Sequence, residues 1–273
     1  MADTAPPIVV DDLTMAFGSF VLQRDLSFTV ARGDIFIIMG GSGCGKSTLL
    51  RHMIGLKSPA KGKVYYSGVS LWDVPVEQQR RILQGTGVLF QRGALWSSMT
   101  LAENIALPLS EYTRLTAAEI RDIASLKLAL VGLAGFEEYY PSEISGGMQK
   151  RAGLARAMAL DPEILFFDEP SAGLDPISSK LLDDLILELR DSLGATIVVV
   201  THELASIFAI GNNSVFLDAQ SKTMIAQGDP KKLLAETDNP TVQQFLTRGE
   251  RGKPAAGQDG ETDARASNSG PKR

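Results

Sequence analysis

Eight consecutive residues, Gly40 to Ser47, have the types and the spacing needed to hold a phosphate group. They read Gly-Gly-Ser-Gly-Cys-Gly-Lys-Ser and fit the pattern G-x-x-x-x-G-K-[ST] between a predicted strand and a predicted helix. Glycine lets the backbone curl until several N–H groups face one anion, and the N-terminus of the following helix adds partial positive charge. We expect Lys46 to reach the β- and γ-phosphates of a nucleotide and the Ser47 hydroxyl to bind Mg²⁺.

A pair of carboxylates follows a second apolar run. Asp168 and Glu169 come directly after Ile164–Phe167, and ligands bind at the carboxyl ends of strands in open α/β sheets. Asp168 suits the hydration shell of Mg²⁺, and Glu169 can take a proton from an attacking water or orient it. His202 follows another apolar run, where a neutral imidazole can bond a γ-phosphate oxygen.

A second anion-binding surface is predicted between these motifs. Ser145 is a typical helix N-cap, and Gly146 and Gly147 after it permit close approach of a ligand to the backbone. The nucleotide of the same chain is not expected to reach this turn, so the arrangement favours two copies that sandwich two ATP molecules. Asp175 and Pro176 fit the N-cap and N1 positions of the next helix.

The elements that must position these residues indicate an α/β fold. Short apolar runs separated by helical patterns predict a parallel sheet with crossover helices, formed by Ile35–Met39, Gly87–Phe90, Ile164–Phe167 and Ala195–Val200. Three further runs are expected to form a more antiparallel portion, namely Ile8–Val10, Val64–Tyr66 and Ser214–Leu217.

The chain is predicted to contain one large domain and a short tail. The segment of about 92–160 has a helical texture, with a capping box at Thr116–Glu119, and is interpreted as a helical subdomain inserted between strands. Together with the strands it forms a domain of residues 1–248. Residues 249–273 contain no Val, Ile, Leu, Met or aromatic side chain and are expected to be a disordered tail.

Composition excludes several classes of protein. The net charge of −5 gives no basic footprint for nucleic acid, and no apolar run approaches the ~20 residues that span a bilayer. The first residues lack the pattern of a secretory signal. Cys44 alone cannot form an internal disulfide; it is interpreted as a small filler in the phosphate loop, although its place near a helix N-terminus is expected to make the thiol reactive. His52 is interpreted as structural.

From about Ile8 to Arg248 the chain resembles the ATPase subunits of ATP-binding-cassette (ABC) systems, because six motifs match in order. The resemblance implies a P-loop NTPase fold of ABC type that hydrolyses ATP with Mg²⁺. It implies that Phe17 stacks on adenine and that Gln91 contacts the metal and the water. Phe17 stands where Tyr is commoner, Ile144 where Leu is, and Met148 at the usual Gln position. None of these departures removes a catalytic group.

The resemblance also implies a complete set of site residues. The catalytic residues are Glu169, His202 and Gln91, and the metal ligands are Ser47, Gln91 and Asp168. The residues expected to bind nucleotide are Phe17, Gly40, Gly41, Ser42, Gly43, Cys44, Gly45, Lys46, Ser47, Thr48, Ser145, Gly146, Gly147 and Asp175.

A narrower resemblance concerns the cargo. The segments Val88–Leu109 and Asn239–Leu246 are similar to those of ATPases that serve MCE-domain phospholipid transporters. This implies a second copy of the chain, a multi-pass permease and an MCE-domain protein as partners, no nucleic acid, and a peripheral location on the cytoplasmic face of the inner membrane. The alternatives are an osmolyte or amino-acid importer, since Ser-Gly-Gly-Met also occurs there, and a cassette ATPase of cell division or iron–sulfur assembly. A DNA-repair or ribosome-acting protein is disfavoured because the chain has one cassette and no long coiled-coil insertion.

Overall fold

The computed structural model describes residues 5–248, which form ten β-strands and nine α-helices. The predicted tail, 249–273, lies outside the described residues. The strands are β1 (Ile8–Phe17), β2 (Phe20–Val30), β3 (Ile35–Gly40), β4 (Lys61–Tyr66), β5 (Val69–Ser70), β6 (Thr86–Leu89), β7 (Ile164–Asp168), β8 (Thr196–Val200), β9 (Asn213–Asp218) and β10 (Thr223–Gln227). The helices are α1 (Lys46–Met53), α2 (Val76–Gln84), α3 (Leu101–Tyr112), α4 (Ala117–Leu130), α5 (Gly146–Ala157), α6 (Pro176–Leu193), α7 (Leu204–Ile210), α8 (Pro230–Glu236) and α9 (Pro240–Leu246).

A six-stranded sheet carries the chemistry-bearing loops. Its strand order is β10-β9-β3-β8-β7-β6, and all neighbouring strands are parallel except β9 and β10. The carboxyl ends of β3, β6, β7 and β8 therefore meet at one edge. The phosphate loop, Gln91, Asp168–Glu169 and His202 all leave the sheet at this edge.

Both faces of this sheet are buried, which explains the continuous apolar runs. On β3 the side chains of Ile35, Ile37 and Met39 pack into a core shared with the helices α3 to α6. The alternate residues Phe36 and Ile38 pack into a second core, shared with the other sheet and α1. Because such a strand buries both of its faces, apolar and polar residues do not alternate along it.

A separate four-stranded sheet is entirely antiparallel, in the order β2-β1-β4-β5. It includes two of the three runs predicted for the antiparallel portion. The third, Ser214–Leu217, lies instead in β9 of the six-stranded sheet, where its pairing is mixed. There β9 pairs in parallel with β3, Ile37 opposite Ser214, and only its outer edge pairs antiparallel with β10. From sequence alone, a strand that pairs in parallel on one side and antiparallel on the other cannot be distinguished from a strand that has only one kind of pairing.

The helices α3, α4 and α5 lie between β6 and β7 and pack on one another. Their starts follow the local sequence: Thr100 and Thr116 each form a capping box, with Glu103 and Glu119 respectively. The capping box at Thr116 confirms the prediction. Among the described residues, no helix is both long enough and apolar enough to cross a membrane.

Candidate functional site

The phosphate loop connects β3 to α1 in a conformation that only glycine tolerates at two points. Gly40 has φ of 146°, and a Cβ there would lie 2.3 Å from the carbonyl oxygen of Leu217. Gly45 has φ of 101° and is the N-cap of α1, with no side-chain cap bond. Because no side chain caps this helix and its first turn contains no acidic residue, its N–H groups can bind an added anion.

Lys46 lies folded against this loop. Its side chain is buried, and Nζ donates hydrogen bonds to the carbonyl oxygens of Gly40 at 3.0 Å and Gly41 at 3.1 Å. The ammonium group is therefore held beside the loop by neutral acceptors, without a carboxylate within 4.0 Å in the part of the chain that the structure describes. A cation held this way keeps its charge for an anion bound in the loop.

Cys44 differs from its neighbours in the loop. Its side chain is buried in the core beneath the four-stranded sheet, and burial raises the pKa of its thiol, despite the opposing charge of Lys46. Desolvation of the thiol thus opposes the reactivity that its place near a helix N-terminus was expected to give. Its carbonyl oxygen accepts a hydrogen bond of 2.7 Å from Nε2 of Gln23. The Cys44 side chain therefore fills space in the core, and its carbonyl oxygen ties the phosphate loop to Gln23.

A side-chain hydrogen bond joins the start of α1 to the end of β7. The Ser47 hydroxyl donates to Oδ1 of Asp168 over 2.8 Å. A hydroxyl and a carboxylate side by side are hard oxygen ligands of the kind that Mg²⁺ prefers, and Mg²⁺ is commonly bound by one or two such groups together with substrate phosphates. Among the described residues no cluster of three or more His, Cys, Asp or Glu could hold a metal alone. The residues present therefore fit Mg²⁺ that arrives with a nucleotide.

Glu169 and His202 meet at the ends of two neighbouring strands. Asp168 lies opposite Val200 in the ladder of β7 and β8, so the residues that follow emerge together. Nδ1 of His202 lies 2.9 Å from Oε1 of Glu169, while Oε2 is buried and has no hydrogen-bond partner among residues 5–248. Glu169 has φ of 49°, a left-handed conformation that is rare for a residue with a side chain and is typical of strained functional positions.

A cleft of about 810 Å³ brings most of the predicted residues together. Its lining includes seven residues of the phosphate loop, that is, all of Gly40–Ser47 except Cys44, followed by Thr48, and also Gln91, Glu169 and His202. Asp168 borders it through its bond to Ser47. The lining also includes five residues that were not predicted as site residues: Leu22, Leu204, Gln244, Phe245 and Arg248. No nucleotide-binding motif marks them, because they reach the cleft from β2, from the start of α7 and from the C-terminal part of α9 and the residues after it.

Phe17 is not among the residues that line the cleft. It ends β1, its side chain is 53% exposed, and Nζ of Lys57 lies 3.2 Å from the centre of its ring. A cation over an aromatic face is attracted by the ring quadrupole. Stacking on adenine would have to use the remaining face of the ring.

The Ser-Gly-Gly turn and Asp175 form a second, exposed surface away from the cleft lining. Ser145 caps α5 by accepting from the backbone N–H of Met148 at 3.3 Å, and Asp175 caps α6, as predicted. The two turns adjoin, since a Cβ on Gly147 would lie 3.2 Å from Oγ of Ser178, which donates to Asp175 over 2.6 Å. The N-terminus of α5 has no acidic residue in its first turn and is free to receive an anion from outside the chain.

Comparisons with known proteins agree with this geometry. Residues 23–172 match the family described as ABC transporter. The chain is 42% identical over 239 residues to the probable ribonucleotide transport ATP-binding protein mkl of Mycobacterium tuberculosis, and it spans 66% of that protein's length, just under two thirds. It is 40% identical over 235 residues, 86% of each chain, to the intermembrane phospholipid transport system ATP-binding protein MlaF of Escherichia coli. In structure it resembles the dimeric cassette MJ0796 bound to ADP and Pi, with a TM-score of 0.73 and 27% identity over 81% of this chain and 98% of the other.

Proposed function

The chain belongs to the ABC transporter family of ATP-binding cassettes, and on that premise we propose that it is the ATP-hydrolysing subunit of a phospholipid transport system. The observation that carries the proposal is the cleft in which the phosphate loop, Glu169 and His202 converge. The cargo is inferred from the 40% identity with MlaF across 86% of both chains.

In the proposed reaction the loop N–H groups and Lys46 hold the phosphates of ATP. Ser47, Asp168 and Gln91 would hold Mg²⁺, which when bound neutralises negative charge on the phosphates. The free Oε2 of Glu169 accepts a proton from the attacking water, or orients that water, while Oε1 stays bonded to His202. His202, whose side chain is 55% exposed, can also contact the γ-phosphate.

We propose that two chains form the working unit. Ser145, Gly146 and Gly147 lie outside the cleft of their own chain, so a two-fold pair would let each turn contact the nucleotide of the other chain. The dimeric cassette structure found for a relative with 28% identity and a TM-score of 0.75 supports this arrangement. ATP would then favour the closed pair, and hydrolysis would release it.

The proposed permease would dock on the segment that follows Gln91. Asn104 is fully buried, and its side chain bonds the backbone of Trp96, Met99 and Thr100, which fixes the shape of this segment. Trp96 remains 57% exposed. Arg156, which donates to the carbonyl oxygens of Gly93 and Ala94 in this segment, also lines a cleft of about 850 Å³ between α2, β6 and α3 that offers a groove for a helix. The proposal is completed by an MCE-domain protein as a further partner and by a peripheral location of this chain on the cytoplasmic face of the inner membrane.

The names of the mycobacterial relatives favour a second candidate cargo, a ribonucleotide. Both candidates use the same ATP cleft, so only the partner and the cargo distinguish them. The tagged full chain can be purified from detergent-solubilised membranes, its partners identified by mass spectrometry, and its lipids and nucleotides extracted. A permease, an MCE-domain subunit and bound phospholipid are expected. A soluble binding protein for another solute, without phospholipid, would contradict the lipid proposal and leave the ATPase assignment standing.

A further inference from the structure

Lys150 contacts two residues of the cleft, Gln91 and Glu169, whose relative position matters for the proposed reaction. It lies on α5, is 6% exposed, and was assigned no role from the sequence. Its ammonium group donates to the carbonyl oxygen of Gln91 and, over 3.3 Å, to that of Glu169. One buried side chain therefore holds the backbone of both residues.

The two carbonyl groups stand where the strand pairing stops. In the ladder of β6 and β7, Val88 lies opposite Phe166 and Leu89 opposite Phe167. Two further steps in the same register would place Gln91 opposite Glu169, but the ladder ends at Leu89. The Lys150 ammonium thus bridges the two strand ends beyond their last paired residues.

This position costs stability, because the charge is buried without a paired carboxylate. Burial lowers the pKa of Lys150, against the attraction of Asp168 and Glu169. In the described part of the chain no carboxylate oxygen lies within 4.0 Å of Nζ. Burying an ammonium group that bonds only neutral carbonyl groups costs free energy, and an apolar side chain would fill the same space without that cost. The two hydrogen bonds of Lys150 therefore point to a specific role.

We propose that Lys150 is a positioning residue that fixes the backbone of Gln91 and Glu169, so that both side chains converge on the attacking water. The inference rests on the proposed ATP hydrolysis. Glu169 has φ of 49°, a conformation that the surroundings must hold. Its N–H donates to Val200 at 2.8 Å, and its carbonyl oxygen accepts from Lys150. Without Lys150 the carboxylate can shift, and a shift of about 1 Å can cost about 100-fold in rate.

The test compares Lys150→Met, which keeps the length of the side chain but removes the donor, with Lys150→Arg, which keeps a cation. Arg151→Met is the matched control, because Arg151 is the next residue on α5 and bonds the carbonyl oxygens of Val131 at 2.8 Å and Gly132 at 3.1 Å, and none of these three residues lines the cleft. Each full-length variant is measured for kcat and KM of ATP hydrolysis, for Mg²⁺-free ATP affinity and for its thermal unfolding midpoint.

We expect Lys150→Met to lower kcat by about 10-fold or more, with KM and ATP affinity unchanged and an unfolding midpoint like that of Arg151→Met. Lys150→Arg should recover most of kcat. A kcat of Lys150→Met within twofold of wild type would overturn the inference, as would parallel losses of affinity and midpoint that Arg does not rescue. If the Met variant does not fold, Lys150→Gln replaces it, and equal kcat for Gln and Arg would overturn the inference. Wild-type protein that does not hydrolyse ATP would instead overturn the proposed function.

Discussion

Nδ1 of His202 lies 2.9 Å from Oε1 of Glu169, and the second oxygen of that carboxylate is buried without a hydrogen-bond partner in the described part of the chain. One oxygen of Glu169 is therefore occupied by a positioning contact and the other is available. An unpartnered buried acceptor is costly unless something binds it, and here it borders the cleft that the phosphate loop lines. This division of the two oxygens is what a group that accepts a proton from water requires.

Removing this acceptor should separate catalysis from binding. Glu169→Gln is expected to keep ATP affinity and to lower turnover by roughly 10²–10⁴-fold, the usual contribution of a positioned acid–base group. Asp183→Asn is a matched control, since Asp183 is a buried carboxylate outside the cleft that bonds Ser206. Steady-state hydrolysis and nucleotide titration measure the two effects. Equal loss of affinity in Glu169→Gln would contradict the assigned role.

Lys46→Ala should have the opposite effect and weaken binding itself. The ammonium now bonds two loop carbonyl groups, and a charged hydrogen bond to a phosphate is worth about 1.5–3 kcal/mol. Affinity for ATP is thus expected to fall by roughly 10- to 150-fold. Lys180→Ala, which removes an exposed lysine paired with Asp184, should leave affinity unchanged. A titration in which both variants bind ATP like the wild type would contradict the assignment of Lys46 to the phosphate-binding site.

Cys44 should resist thiol reagents in the folded protein. Its side chain is buried, and burial raises the pKa of the thiol, so the thiolate fraction near neutral pH is lower than for a free cysteine. Labelling with a maleimide is expected to be slow at pH 7, to increase as pH rises, and to become rapid on unfolding. Since Cys44 is the only cysteine, mass spectrometry reports it directly. Rapid labelling of native protein at pH 7 would show that the loop is more open than described.

Trp96→Ala should uncouple hydrolysis from transport. Trp96 is exposed in the segment beyond Gln91, where the permease is proposed to dock, and loss of a buried aromatic anchor weakens an interface. In the reconstituted complex, transport per ATP hydrolysed should fall while nucleotide binding stays normal. Leu126→Ala is a control with the same 57% exposure on α4. Equal coupling in both variants would place the permease elsewhere.

Local signals in the sequence predicted much of this structure. The capping box at Thr116 and the Asp175–Pro176 start of α6 depend on neighbouring residues only, and both were correct. The pairing of Ser214–Leu217 depends on which strands lie beside it: the antiparallel pairing with β10 agrees with the prediction, and the parallel pairing with β3 does not.

Contacts between distant residues left no local trace. Lys150 meets the carbonyl oxygen of Gln91, 59 positions earlier in the chain, and Phe245 reaches the cleft after packing on Phe216. The site residues with motif spacing could be named from sequence. The side chains that hold those residues in place could not be named, because a lysine such as Lys150 cannot be distinguished by sequence from other long side chains on a helix.

The most direct test of the proposed function is a mixing experiment on the ATP site shared by two chains. Lys46→Ala and Ser145→Arg homodimers should each be inactive, because each site needs an intact phosphate loop from one chain and an intact Ser145 from the other, and every site lacks one of the two. A heterodimer of the two should regain hydrolysis, since one site combines an intact loop with an intact Ser145. A heterodimer of wild type with Lys46→Ala also has one intact site and sets the expected rate. If that control hydrolyses ATP and the mixed mutants do not, the composite site is contradicted.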